Sequence, residues 1–185
     1  DLYNLIGEEK KGKIKSLRDE KDRLRSLIAY SMAAKYLGKS LPVDFSFGEH
    51  GKPYVKGGPE FSLSHSGTFA VFAYSDDRPV GVDVQRDGEM DPFPIAKSFY
   101  QKDELLKMEQ SDEPLKLFYQ YWAIKESVLK CVGLGLDGEF TKISALEPFV
   151  KISKIPYYST IVPFAEGYTR ATTGVEPGEA HLELV

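Results

Sequence analysis

A chain of 185 residues with 42% hydrophobic and 28% charged side chains has the length and apolar content of one compact domain or two half-sized subdomains, which excludes a repeat array and a largely disordered protein. The net charge of −4 disfavours a nucleic-acid binder, and no run approaches the eighteen or so apolar residues of a membrane span. Asp1 opens no secretory signal, and the single cysteine, Cys131, has no partner for a disulfide or a thiolate zinc site, so a cytoplasmic protein without membrane or nucleic-acid partners is expected.

Charge is unevenly spread along the chain. Residues 10–25 hold eight basic side chains, among them Lys10, Lys13 and Arg25, against three acidic ones. Such a patch suits a discrete anionic ligand, while the plainer alternative is a solvated helix face laced with i,i+4 pairs such as Asp19 with Arg23. Charge alone favours the plainer alternative.

Asp19 to Leu37 reads as an amphipathic helix, with Leu24, Leu27, Ile28, Ser31 and Met32 on its apolar face and Gly38 past its end. Phe45 and Phe47, then Phe61 and Leu63, alternate with polar neighbours as short strands do. Phe69 to Tyr74 and Val80 to Val84 are β-rich runs whose Ser-Asp-Asp-Arg-Pro link predicts a hairpin between them. The Asp-, Gly- and Pro-rich stretch from Arg86 to Pro94 marks a boundary between an N-terminal half, residues 1–85, and a C-terminal half, residues 86–185. One or two short helices over Phe93 to Met108 and a long one over Glu113 to Val132, stopped by Gly133, come next. After Gly138 the pattern turns β-like again, at Phe140 to Ile143, Phe149 to Ile152, Tyr157 to Val162 and Tyr168 to Thr173. The fold class is therefore α/β of the α+β kind, each half a small, mainly antiparallel sheet with a long helix.

Two acidic residues stand out against this pattern. Glu126 falls within the arc of the long helix that carries Leu115, Phe118, Tyr119, Trp122 and Leu129, where a carboxylate is costly unless paired or coordinated. The bland partner is Lys130, one turn on. In Gly81-Val82-Asp83-Val84-Gln85 the period of two sends the valines to one face and Asp83 and Gln85 to the other. If the helix packs near that polar face, Asp83 and Glu126 can share a hard divalent cation such as Mg²⁺.

Phe61-Ser62-Leu63-Ser64-His65-Ser66-Gly67 admits a serine nucleophile with His65 as base and Asp83 as its orienter, but the G-x-S-x-G elbow is missing. A Ser-His-Ser-Gly turn is equally a phosphate cradle, or simply a capped turn.

Taken together, four ordered blocks resemble the 4′-phosphopantetheinyl transferases of the surfactin-synthetase-activating type: Gly51-Lys52-Pro53, the Phe61 to Gly67 run, Gly81 to Gln85, and Phe118 to Lys130 followed by Gly133-Leu134-Gly135-Leu136. The resemblance implies a pseudo-twofold pair of similar subdomains with coenzyme A and Mg²⁺, or Mn²⁺ in its place, in the cleft between them. It further implies transfer of the 4′-phosphopantetheine arm from coenzyme A to a serine of an apo acyl or peptidyl carrier protein, with release of 3′,5′-ADP, by a monomer. By the same resemblance Lys52 and Pro53 contact adenine, Ser64, His65 and Lys125 the phosphates, and Lys10, Lys13 and Arg25 the 3′-phosphate. Asp83, Glu126 and Gln85 are the implied metal ligands, Glu126 also the base, directly or through water, and Lys130 the group that stabilises or protonates the leaving 3′,5′-ADP. Many relatives carry Glu where Gln85 stands, which predicts weaker metal binding. The segment from Phe99 to Leu117, with Leu105, Leu106, Met108 and Leu115 among Lys102, Lys107 and Lys116, reads as a docking face for an acidic carrier helix or as an ordinary amphipathic helix pair. The alternative to an enzyme is a non-catalytic coenzyme A or nucleotide-binding module.

Overall fold

The computed structural model describes residues 1–38, 40–135 and 139–177; Leu136 and Gly138, which the sequence reading uses, lie outside the described residues. A 3₁₀ turn at Leu2–Leu5 and a helix the periodicity misses, α1 (Glu8–Lys15), precede α2 (Glu20–Leu37). Asp19 caps α2 by accepting from the Asp22 amide at 2.8 Å, which satisfies one of the first turn's free N–H groups. The apolar face expected for α2 is corrected. Leu24 and Ile28 are exposed, while Ser26, Leu27, Ala29, Ala33, Ala34 and Leu37 are buried. Small side chains let the helix lie close against the strands, whose Phe61 and Phe72 supply the bulk of that core.

β1 (Ser46–Phe47) and β2 (Pro53–Tyr54) form a short ribbon, and β3 (Glu60–Ser66) with β4 (Phe69–Ser75) a tight hairpin. Its two-residue loop is Gly67-Thr68, and Gly67 at φ +56° takes the left-handed backbone that the turn requires. The hairpin expected between Phe69–Tyr74 and Val80–Val84 does not form. Instead β5 (Val80–Arg86) pairs antiparallel with β8 (Tyr168–Gly174), in a sheet ordered β5-β8-β7-β6 with β7 (Ile155–Ile161) and β6 (Val150–Ile152).

The other edge of β5 runs alongside β3, and there side chains replace carbonyls. The hydroxyls of Ser62, Ser64 and Ser66 accept from the N–H groups of Val82, Val84 and Arg86 at 3.0, 3.2 and 3.0 Å. Serines at alternate positions of β3 thus satisfy a strand edge that would otherwise hold unpaired donors, and they stitch the two sheets together.

After α3 (Phe93–Phe99) and α4 (Lys102–Glu109), α5 (Pro114–Val132) lies across the four-stranded sheet. A Cβ on Gly81 would sit 2.0 Å from the Ser127 carbonyl oxygen, so only glycine lets the helix approach β5 this closely. Gly133, at φ +83°, ends α5. Phe140–Lys142 is a 3₁₀ turn rather than the expected strand; it seats the buried Phe140 ring 4.8 Å from Trp122. The architecture is α+β: one long helix on the β3-β4 hairpin, another on the four-stranded sheet, each with its own core. No helix among the described residues is long and apolar enough to cross a membrane.

Candidate active site

A cavity of about 420 Å³ opens between α1, α2, the β1–β2 loop, β3 and the end of α5. Lys10, Lys52, Pro53, Ser64, His65 and Lys130 all line it, so six sequence-predicted residues from four segments share one surface. Sequence reasoning missed Tyr30 and His50, which line it too. Tyr30 sits on the buried side of α2, and an apolar arc centred on Ala33 would have included it.

Beneath the cavity lies a charged cluster. Lys130 Nζ donates to Asp83 Oδ1 at 2.5 Å and to the Ser64 hydroxyl at 3.0 Å, and Ser64 in turn donates to Asp83 Oδ1 at 2.8 Å. Gln85 donates its amide to Asp83 Oδ2 at 2.6 Å. Asp83 is 1% exposed, a buried carboxylate whose charge is met by three donors. The simple i,i+4 pair of Glu126 with Lys130 is not formed; Lys130 reaches across to β5 instead.

Glu126 sits beside this cluster with no donor among the described residues within hydrogen-bond distance of its carboxylate. Burial raises its carboxyl above the ordinary value, Lys130 opposes this and the Asp83 charge adds to it. Two buried carboxylates thus lie close enough to repel one another, and Glu126 has no donor of its own, which is the donor chemistry a hard cation relieves. The described residues hold no cluster of three or more His, Cys, Asp or Glu side chains that could bind a metal, so an ion here would complete its shell from a phosphate, water or the Gln85 amide oxygen.

The remaining cations divide by what already holds them. Lys52 Nζ donates to the Cys131 carbonyl at 2.8 Å and to Glu60 at 3.3 Å, capping α5, while its stem and Pro53 face the cavity. Arg25 donates to the Gly67 carbonyl at 3.0 Å and pairs with Asp22, behind His65 rather than on the cavity wall. Lys13 is exposed, paired with Glu9 at 2.8 Å and outside the cavity lining. His65 stands at the lip; desolvation by the surrounding protein, with Arg25 and Lys130 near, lowers its imidazole below the ordinary value.

Lys125 is not in the site. It is 0% exposed, ion-paired at 2.9 Å with an equally buried Glu104, and donates to the Ile143 carbonyl in the second core. Next to Glu126 in sequence, it points to the other side of the helix, because consecutive helical residues lie about 100° apart. Glu104 also accepts from the amides of Gln101 and Ala145 at 2.8 and 2.7 Å, so the pair pins α4 and the 140–146 segment to α5. Met108, read as part of a docking face, is likewise fully buried, whereas Leu106 is 51% exposed.

Residues 79–171 match the sequence profile of the 4′-phosphopantetheinyl transferase superfamily. A 4′-phosphopantetheinyl transferase of Bacillus subtilis is 36% identical over 144 residues, 71% of this chain and 62% of that one. The Aneurinibacillus migulanus 4′-phosphopantetheinyl transferase gsp is 33% identical over 142 residues, covering 73% of this chain and 59% of its own length. The chain therefore spans about three fifths of the length of these relatives. Among solved structures, the crystal structure of Thermotoga maritima holo-[acyl-carrier-protein] synthase aligns with a TM-score of 0.41 and 17% identity, over 52% of this chain and 61% of that one.

Proposed function

The chain belongs to the 4′-phosphopantetheinyl transferase superfamily, and from that premise we propose that it transfers the 4′-phosphopantetheine arm of coenzyme A to a serine of an apo acyl or peptidyl carrier protein, releasing 3′,5′-ADP. The observation that carries this reading is the stacking of two layers: a cavity walled by Lys10, His65, Lys52 and Lys130, and under it the Asp83 and Glu126 carboxylates. A pyrophosphate ester suits the upper layer, a divalent cation and a proton acceptor the lower.

The carrier serine supplies the nucleophile. As its oxygen bonds to the β-phosphorus of coenzyme A, the bond from that phosphorus to the departing 3′,5′-ADP oxygen breaks and the serine proton goes to Glu126, directly or through a water. Glu126 suits this role because its carboxylate is not occupied by a donor. Lys130, on the cavity floor, offsets the charge that grows on the 5′-phosphate of the leaving 3′,5′-ADP. Asp83 and Glu126, with Gln85 as a weaker third ligand, would hold Mg²⁺ or Mn²⁺, which when bound neutralises phosphoryl charge. Pro53 and the Lys52 stem are the adenine wall, His65 the phosphate wall, with Ser64 acting there through Lys130, whose ammonium it holds, and Lys10, Lys13 and Arg25 the basic surround of the 3′-phosphate.

We place coenzyme A between the halves 1–85 and 86–185 of a monomer, and the carrier on the α3–α4 side. There Phe99, Leu106 and Ile95 are exposed among Lys102, Lys107 and Lys116, an apolar patch rimmed by cations that fits an acidic helix.

Intact-protein mass spectrometry of an apo carrier incubated with this protein, coenzyme A and Mg²⁺, beside an EDTA control, tests the reading. A metal-dependent gain of one phosphopantetheine arm is expected. Coenzyme A binding with no gain on any of several carriers would make the protein a binding module instead.

A further inference from the structure

Of the five cations that the sequence assigns to the nucleotide and its leaving group and that lie outside the second core, four are already engaged by groups of the protein itself: Lys52 by Cys131 and Glu60, Lys130 by Asp83 and Ser64, Arg25 by Asp22 and Gly67, Lys13 by Glu9. Lys10 is the exception. Among the described residues no carboxylate or carbonyl lies within ion-pair or hydrogen-bond distance of its ammonium. What holds it is aromatic: Nζ lies 3.6 Å from the ring centroid of Tyr30 and 5.5 Å from that of Phe47.

That arrangement is fixed by packing. Tyr30 meets Phe45 edge-on at 5.0 Å and Phe47 at 6.5 Å, so the ring cannot swing away. A π face holds an ammonium from one side without consuming its charge or its N–H donors, whereas a carboxylate neutralises it. Phe47 carries Lys13 on its ring at 4.0 Å, but Glu9 has already met that charge.

We infer that Tyr30, with Phe47 beside it, is a platform that positions Lys10 as the uncommitted cation of the cavity, and that selection for a terminal phosphate monoester on the nucleotide depends on this platform. The inference rests on the coenzyme A reading above. Tyr30 touches Lys10 rather than the reacting atoms and is a positioning residue.

Calorimetric titration of the full chain with coenzyme A and with 3′-dephospho-coenzyme A tests it, because the dissociation constant of the dephospho compound divided by that of coenzyme A isolates the phosphate. Y30L is expected to lower that ratio about five- to tenfold. Y30F, which keeps the ring face, restores the ratio, and K10M erases more of it than K13M does. General damage to the cavity weakens both nucleotides together and leaves the ratio alone. Y30M serves as a second variant without a π face, should Y30L fail to fold. An unchanged ratio in Y30L or Y30M, or loss of both affinities in parallel, overturns the platform. A wild-type protein that binds neither nucleotide overturns the coenzyme A reading, and the platform with it.

Discussion

Ser64 donates its hydroxyl proton to Asp83 Oδ1 across 2.8 Å, and the same oxygen accepts from Lys130 Nζ at 3.0 Å and from the Val84 amide at 3.2 Å. A hydroxyl has one proton and two lone pairs, so all its capacity is used. No lone pair is left for attack on a carbonyl, and the serine-hydrolase reading of the Ser64-His65 pair loses its nucleophile. A fluorophosphonate probe is accordingly expected to leave Ser64 unlabelled; a labelled Ser64 peptide would sink this account. S64A strands the Val84 amide and removes one donor from Asp83, at an expected cost of about 1–3 kcal/mol in denaturant unfolding.

Removing charge from Glu126 while keeping its shape separates binding from transfer. E126Q is expected to slow carrier modification by about 10²- to 10⁴-fold, the usual worth of a general base, with coenzyme A affinity in the absence of metal changed little. Carrier mass and calorimetry read the two quantities, and a fully active E126Q refutes the assignment.

The buried pair of Glu104 and Lys125 makes a stability prediction with its own internal control. Losing one partner leaves the other charge buried, so E104A or K125M alone is expected to cost about 3–5 kcal/mol, and E104Q/K125M together less than the sum of the singles. Additive costs in a double-mutant cycle would argue against a direct ionic coupling.

Burial, aided by Lys13, lowers the Lys10 ammonium to about 8. Below that pH it is charged and above it neutral, so coenzyme A affinity is expected to fall as pH rises through 8. His65, at the cavity lip, is held below 6.5 and is neutral throughout that range. In K10M the fall between pH 7 and 9 should vanish; a fall that persists assigns it to another group.

Gly81 has a steric role that a single methyl group tests. In G81A the added carbon would meet the Ser127 carbonyl at 2.0 Å and the Cys131 amide at 2.6 Å, both backbone of α5. A loss of about 1–3 kcal/mol is expected, since the helix has to lift off β5, and transfer should fall too because α5 carries Glu126 and Lys130. Wild-type stability in thermal unfolding would contradict this account of the glycine.

Local signals were read from the chain with few errors. The start of α2 near Asp19, the stops at Gly38 and Gly133, the interruption at Arg86 to Pro94 and the strand around Asp83 each depend on residues within one or two turns of each other. The α+β class, the membership in the transferase superfamily and six of the cavity residues were legible for the same reason: each block is a contiguous string whose chemistry and spacing carry the signal.

Partner choice was decided only by the tertiary structure. The sequence paired β4 with β5 because a turn-like link joins them, but β5 bonds to β8, some 80 residues on, and its other edge is filled by serine hydroxyls of β3. Adjacency in the chain likewise set Lys125 beside Glu126 and offered Lys130 as the partner of Glu126; the fold turned Lys125 into the second core and sent Lys130 to Asp83. Both faces of α2 carry apolar residues, and the small ones went inward because the strands beneath bring large rings. The composition fixes how much apolar surface must be hidden and how many charges need partners. Which surface hides and which charges meet is a property of elements distant in sequence, and a chain read residue by residue carries no distance between them.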